Sequence, residues 1–143
     1  MEMSYQENMP KVTNTEEKLR EEKIKQADRE IREAFLSLMN ELVLKIYHVA
    51  DVDISDIRPY DKNYDVQRTF PVDPKLMRQV TDLVIAFDGD SNYSRTEIAK
   101  EMNVDKNTLY RALKGNEETR WTRYMLSVFL SWCDEKMLHY AQL

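Results

Sequence analysis

Glycine, proline and cysteine are all scarce in this chain of 143 residues, which holds 2 Gly, 4 Pro and 1 Cys. The single cysteine, Cys133, cannot form an intrachain disulfide, and a reducing, cytoplasmic setting is the one we expect. A chain with two glycines has no glycine-rich phosphate-binding loop. No apolar run approaches the roughly 20 residues that span a bilayer, and the N-terminus lacks a signal-peptide pattern, so no membrane contact is expected.

Histidine is equally scarce, and no catalytic or metal-binding pattern is present in the sequence. His48 and His139 lie far apart and make no zinc-binding spacing with Cys133. The aspartates of residues 51–56 and the segment that begins at Asp88 lack the glycine and glutamate that a calcium loop requires. No G-x-S-x-G elbow marks a nucleophile. We therefore predict a protein that is not an enzyme and has no catalytic residue, metal or cofactor.

Residues 94–115, SRTEIAKEMNVDKNTLYRALKG, predict two short helices joined by a sharp turn. Ser94 and Glu97 match the S-x-x-E capping box, which satisfies the free amides at a helix start. Asn103 stands where the chain must turn, and asparagine tolerates a left-handed backbone. Val104 then fills the space beneath the turn. This arrangement predicts a helix-turn-helix.

The second of these helices has one apolar side and one polar side. Asp105 can cap its start, residues 106–114 form it, and Gly115 ends it. The apolar side consists of Leu109, Ala112 and Leu113. The other side carries basic and hydrogen-bonding groups suited to base edges in the DNA major groove, namely Lys106, Asn107, Tyr110, Arg111 and Lys114.

The same residues resemble the helix-turn-helix of lambda-repressor-like DNA-binding domains. That pattern has a small residue in the first helix, a turn residue, a plug and an apolar residue in the second helix, matched here by Ala99, Asn103, Val104 and Leu109. The run VDKNTLYR is also similar to phage regulators of the cII type, and VDKNTLYRALK resembles the second helix of Fis-type domains. These turns usually hold glycine where this chain has Asn103. The resemblance implies binding to double-stranded DNA.

Amphipathic helices are predicted on both sides of this segment. Upstream, Asp73 can cap a helix over residues 74–87. Downstream, residues 118–134 have apolar side chains at helical spacing, which are Trp121, Tyr124, Met125, Val128, Phe129 and Trp132. Fis-type domains end soon after the second helix, so the downstream helix favours the lambda-like interpretation. We predict an all-α fold, in which a compact four-helix helix-turn-helix domain over residues 72–137 follows a long N-terminal amphipathic helix.

The rest of the chain divides into a tail, a helix, a loop and a second tail. We predict a disordered tail over residues 1–14, a long helix over 15–50, a connecting loop over 51–71 and a tail over 138–143. The long helix has a thin heptad seam, which predicts dimerisation through Ile24, Ala27, Ile31, Ala34, Phe35, Leu38 and Leu42. The alternative is that this helix folds back against the C-terminal domain of its own chain.

The charge is unevenly distributed along the chain. Residues 91–124 hold seven Lys and Arg and five Asp and Glu, a net charge of +2, whereas the whole chain carries −5. Phosphate contacts are expected from Ser94, Arg95, Thr96, Lys100, Thr108, Arg120 and Arg123. A DNA-binding segment with so small a net charge binds DNA weakly as a monomer, and a dimer with two such segments is the usual solution.

These observations favour a sequence-specific, dimeric transcription regulator of the phage or mobile-element type, which acts by occupying an operator. Its expected partners are double-stranded DNA, a second copy of the chain and RNA polymerase. The competing hypothesis is a protein-interaction module. In that case the acidic N-terminal helix carries the function, and the helix-turn-helix fold is a scaffold that docks on polymerase or a host factor.

Overall fold

The computed structural model describes residues 2–53 and 68–143, with side chains from residue 14 onward. In chain order the elements are α1 (Glu2–Ala50), β1 (Thr69–Val72), α2 (Pro74–Asp88), α3 (Arg95–Met102), α4 (Lys106–Ala112), β2 (Thr119–Thr122) and α5 (Arg123–Ala141). The described chain is mostly helical and includes a small two-stranded sheet. None of its described helices is both long enough and apolar enough to cross a membrane. Its contacts divide it into two units, Met1–Ala34 and Phe35–Leu143.

The described residues of the first unit, Met1–Ala34, belong to helix α1. The described side chains of this unit are exposed, apart from the half-buried Arg32. The predicted long helix is therefore present, but it begins at Glu2, whereas a disordered tail was expected up to residue 14. Methionine and glutamate recur in this stretch, and both favour a helix.

The second unit, Phe35–Leu143, contains the hydrophobic core, to which the second part of α1 contributes. Phe35 stacks on Phe87 with ring centroids 4.0 Å apart, and the Tyr140 ring meets Phe35 edge-on at 5.2 Å. Phe35 and Leu42 were predicted to be dimerisation residues, and this assignment is wrong because both are buried within their own chain. Leu38 of the same predicted set is 44% exposed. The largest fully buried side chains are Trp132, Phe129, Met39, Ile46, Met77, Ile98, Leu109, Leu113, Leu126, Leu130 and Val72.

Helix α2 begins and ends as its sequence indicates. The Asp73 side chain accepts a hydrogen bond of 3.0 Å from the Lys75 amide, and Pro74 occupies the first turn. Gly89 ends the helix at φ 76°, a left-handed conformation that glycine adopts without steric cost. The face of α2 that holds Leu76, Met77, Val80 and Val84 is buried in the core.

The sheet is an antiparallel ribbon in which Thr69 pairs with Thr122 and Val72 pairs with Thr119. The sequence predicted a loop over 51–71 and a helix over 118–134, so both boundaries were wrong at the ribbon. Trp121 and Phe70 are buried on its inner side, which stabilises strand pairing that local periodicity cannot indicate. The remainder of the predicted loop, residues 54–67, lies outside the described residues.

Helix α5 begins and ends later than predicted. It starts at Arg123, where the Thr122 hydroxyl accepts a hydrogen bond of 3.2 Å from the Met125 amide. It continues to Ala141, through most of the stretch predicted as a C-terminal tail over residues 138–143. The reason is the burial of Tyr140, whose hydroxyl donates to the Asp88 carboxylate at 2.9 Å.

Candidate nucleic-acid interface

Helices α3 and α4 are joined by a turn centred on Asn103. This residue has φ 56° and ψ 43°, the left-handed conformation that its position predicts. The Asn103 amide donates to the Lys100 carbonyl and the Val104 amide to the Ala99 carbonyl, both at 3.0 Å. Val104 is half-buried and packs against the core. The predicted sharp turn and its plug are confirmed at these residues.

The predicted capping box at the start of α3 does not form. Ser94 is the N-cap residue, but its side chain makes no capping hydrogen bond. The Glu97 carboxylate accepts a hydrogen bond of 3.2 Å from Lys100 Nζ. The pattern S-x-x-E is therefore present in the sequence without the reciprocal bonds that normally accompany it.

Helix α4 is short and is capped at its start. The Asp105 carboxylate accepts a hydrogen bond of 2.8 Å from the Asn107 amide, as predicted. The helix ends at Ala112, two residues before the predicted end at Lys114. Gly115 has φ 101°, a backbone conformation that side-chain-bearing residues rarely adopt.

One side of α4 faces solvent and the other faces the core. Leu109 is 0% exposed and Leu113 is 2% exposed. The five predicted base-contacting residues are all exposed, and we call them the α4 face: Lys106, Asn107, Tyr110, Arg111 and Lys114. Four of them, all but Lys106, line an open groove of about 520 Å³ together with Asp105. The structure therefore brings the predicted base-contacting residues together on one surface.

Three of the predicted phosphate-binding residues already make ion pairs or hydrogen bonds within the chain. Arg95 pairs with Asp82 at 2.9 Å, and Lys100 pairs with Glu97. Arg120 donates through Nε and Nη2 to the hydroxyl and carbonyl of Thr69, both at 2.9 Å. Contact with phosphate requires these cations to release or share their present acceptors.

Four further residues of the predicted phosphate-binding set differ in exposure. Ser94 and Thr108 are exposed, whereas Thr96 and Arg123 are half-buried. The Thr96 hydroxyl lies 3.4 Å from the Tyr110 hydroxyl, so a predicted phosphate contact and a predicted base contact meet across α3 and α4. Arg123 lies at the start of α5, beyond the ribbon.

Arg78 was not predicted from the sequence to have a role at this surface. Its Nη1 donates to the Leu113 carbonyl at 2.7 Å and also to the Gly115 carbonyl, and its Nη2 donates to Asn116 Oδ1 at 2.9 Å. Trp121 Nε1 donates to the Ala112 carbonyl at 3.1 Å. No local pattern marks Arg78, because an arginine on the polar side of an amphipathic helix resembles any solvated charge.

Glu101, near the end of α3, accepts hydrogen bonds from three side chains. The donors are the Tyr93 hydroxyl, Lys136 Nζ and Trp132 Nε1, the last at 3.1 Å. Partial burial alone raises the pKa of Glu101, but the hydrogen bonds and the Lys136 charge outweigh it and lower the pKa below its ordinary value. Burial and the bond to Glu101 raise the pKa of Tyr93. The cluster fixes α3 against α5 with an ionised carboxylate.

Comparisons of this chain with protein-family models, curated proteins and solved structures find no match. Function is therefore inferred from the geometry of the α4 face and from the charges that surround it.

Proposed function

We propose that this protein is a sequence-specific DNA-binding transcription regulator of the phage or mobile-element type. In this proposal α3, the turn at Asn103 and α4 form a helix-turn-helix of the lambda-repressor-like kind, and α4 enters the major groove. The observation that carries the proposal is the α4 face, on which five exposed side chains can donate hydrogen bonds while the opposite side of α4 is buried. Helix α4 itself contains no acidic residue.

Within the α4 face, Arg111 and Asn107 are the strongest candidates for base contacts. A guanidinium can bind both acceptors on the guanine edge, and a carboxamide can pair with adenine. Arg111 Nε donates to the backbone carbonyl of Asn107, at 3.3 Å, within the same helix. Lys100 and Arg95 are placed on α3, where exchange of a carboxylate for a phosphate would anchor the helix without selecting sequence.

Dimerisation is part of the proposal because the segment 91–124, with a net charge of +2, gains little affinity from phosphate neutralisation alone. In the first unit, Ile24 and Ile31 are 60% and 58% exposed, and Ala27 and Ala34 are also exposed. Exposed isoleucines at heptad spacing are suited to a second copy of the same helix. Two helix-turn-helix segments joined in this way would occupy a two-fold symmetric operator.

The mechanism that follows is occupancy of the operator. A bound dimer represses transcription where it covers the polymerase site, and activates transcription where it touches polymerase from a neighbouring site. The proposal includes a contact with RNA polymerase only where the dimer activates transcription.

The test is selection from random-sequence duplex DNA at physiological salt, with the size of the protein measured in the same buffer. We expect enrichment of a two-fold symmetric site by a protein that sediments as a dimer. Absence of any enriched sequence at protein concentrations well above micromolar would contradict the proposal.

The second candidate function is a protein-interaction module, favoured by the exposed helical surface of residues 14–34. The pairing of Arg95 and Lys100 with their own acids also favours it, because fewer cations are then available to phosphate. Selection from random-sequence duplex DNA and binding of purified RNA polymerase, both measured on the full chain, separate the two candidates. An interaction module binds polymerase and enriches no DNA sequence, whereas a regulator enriches an operator whether or not it binds polymerase.

A further inference from the structure

We propose that Arg78 is a positioning residue that fixes the C-terminal end of α4 and thereby the orientation of the α4 face toward DNA. The effect on DNA binding rests on the proposed function, but the role of Arg78 in holding the end of α4 can be tested in the free protein. Arg78 lies on α2, and all three of its acceptors lie in the segment that follows α4.

The last carbonyls of a helix have no partner within the helix, and a helix of seven residues has few internal bonds to hold it. At the C-terminal end of α4 and in the residues that follow it, three carbonyls are bonded from outside the helix. The Ala112 carbonyl accepts from Trp121 Nε1, and the Leu113 and Gly115 carbonyls accept from Arg78. A positive charge at this end also interacts favourably with the helix dipole.

A guanidinium suits this position better than an ammonium. Arg78 uses two different nitrogens to reach two backbone carbonyls and the side chain of Asn116, and its planar group holds those directions together. A lysine would keep the charge but would present a single nitrogen atom. Substitution of Arg78 by lysine and by glutamine can therefore separate the contribution of its charge from that of its hydrogen-bond geometry.

The experiment compares Arg78→Gln and Arg78→Lys with Lys75→Gln, which removes a positive charge from an exposed position of the same helix. In the free protein, hydrogen exchange is measured at the Leu113 and Lys114 amides, which bond to the Leu109 and Arg111 carbonyls in the last turn of α4. We expect exchange at least ten-fold faster in Arg78→Gln and intermediate in Arg78→Lys. The Ile98 amide, which bonds to the Ser94 carbonyl in α3, should exchange at the wild-type rate.

Affinity for the selected operator and for random duplex is then measured for each variant well below its unfolding temperature. We expect the ratio of the two affinities to fall about ten-fold in Arg78→Gln, with random-duplex affinity within three-fold of the wild type. Lys75→Gln should leave the ratio unchanged.

Two outcomes would overturn the positioning role. One is unchanged exchange at Leu113 and Lys114 in Arg78→Gln. The other is an equal loss of affinity on operator and random duplex, which indicates that Arg78 contacts phosphate directly. If the wild-type protein selects no DNA sequence, the proposed function fails, and the exchange measurement still decides whether Arg78 holds the end of α4.

Discussion

Glu101 connects three separate parts of the second unit through one carboxylate. Its donors are Tyr93, which precedes α3, and Trp132 and Lys136, which belong to α5. The carboxylate is about one-third exposed and the Lys136 side chain is 14% exposed, so water weakens this pairing only in part. An ionised acid at this point stabilises the packing of α3, on which the position of the turn and of α4 depends.

Substitution Glu101→Gln tests this role. Glutamine keeps one acceptor oxygen but turns an amide group toward donors, so we expect a loss of about 1–2 kcal/mol in the free energy of unfolding at pH 7. Because the pKa of Glu101 is lowered in the folded state, its contribution is fully present above the pKa of the unfolded chain. The contribution is lost as pH falls through the folded-state value. Urea unfolding at pH 7 and at about pH 3 should therefore show a difference between wild type and variant that shrinks in acid.

Glu97→Gln is the matched control for this measurement. Glu97 pairs with Lys100 on the surface, where the side chains are 43% and 70% exposed. We expect a change within about 0.5 kcal/mol at either pH. Equal effects of the two substitutions would contradict a special role for Glu101.

A second prediction at the residue scale separates base contacts from phosphate contacts. We expect Arg111→Ala to reduce discrimination between the operator and random duplex by about 1–3 kcal/mol. Lys100→Ala should weaken binding to both duplexes by the same factor and lower the salt dependence of binding. Fluorescence anisotropy titrations at several salt concentrations measure both quantities. The same fractional loss on operator and random duplex for Arg111→Ala would rule out its assignment as a base contact.

Individual side-chain roles were predictable from the sequence where the bond is local. Asp73 and Asp105 cap the amides two residues later, and an Asp before a helix indicates such a bond directly. Ser94 shows the limit, because Lys100 pairs with the Glu97 carboxylate that the capping box requires. Arg78 could not be predicted, since its partners lie beyond α4 and only the folded chain brings them together.

Among the elements, the turn between α3 and α4 gives the clearest prediction. Asn103 holds a left-handed conformation at φ 56°, which costs a β-branched residue roughly 1–2 kcal/mol or more. We expect Asn103→Val to lower the free energy of unfolding by that amount and to weaken DNA binding. Asn103→Gly should stay within about 1 kcal/mol of the wild type, because glycine tolerates the conformation. Thermal unfolding followed by circular dichroism measures both, and an equal loss in the two variants would contradict strain as the cause.

The elements that the sequence predicted least well are the strands. Trp121 lies at helical spacing from Met125, Val128 and Trp132, which explains why a helix was predicted from residue 118. The backbone at Trp121 instead pairs with Phe70 of β1. Strand pairing between distant segments leaves no local periodicity, whereas the amphipathic face of α2 is visible within a few turns. Helices were thus predictable here, but the ribbon and the start of α5 were not.

At the scale of the whole molecule, α1 combines two kinds of surface. Its isoleucines at positions 24 and 31 are exposed, whereas Phe35 and Ile46 are buried in the second unit. The heptad spacing that predicted dimerisation runs through both parts, so the sequence could not indicate where the seam ends and the core begins. The second part of α1 packs within its own chain, and self-association is proposed only for the first part.

Paired substitutions in α1 test that division. We expect Ile31→Lys, combined with Ile24→Lys, to lower the sedimentation coefficient from that of a dimer to that of a monomer. Because both side chains are exposed, the free energy of unfolding of the second unit should change by no more than about 0.5 kcal/mol. A dimer that persists in the double variant would contradict the proposed interface.

Phe35→Ala is the contrasting change. It removes a buried ring that stacks on Phe87, so we expect a loss of about 3–5 kcal/mol in the free energy of unfolding. The proposed dimer should persist at temperatures where this variant stays folded. Sedimentation and urea unfolding of the same samples check both expectations.

The ribbon also has a consequence for the order in which the chain folds. Its strands flank α2, α3 and α4, so Thr69 can meet Thr122 only after the chain between them has contracted. Closing a long open loop costs entropy before any contact compensates for it, and helices that form early shorten the distance to be closed. We therefore expect the ribbon to close late on the folding path. A nascent chain whose synthesis has not reached β2 lacks both that closure and the Trp121 bond that holds α4.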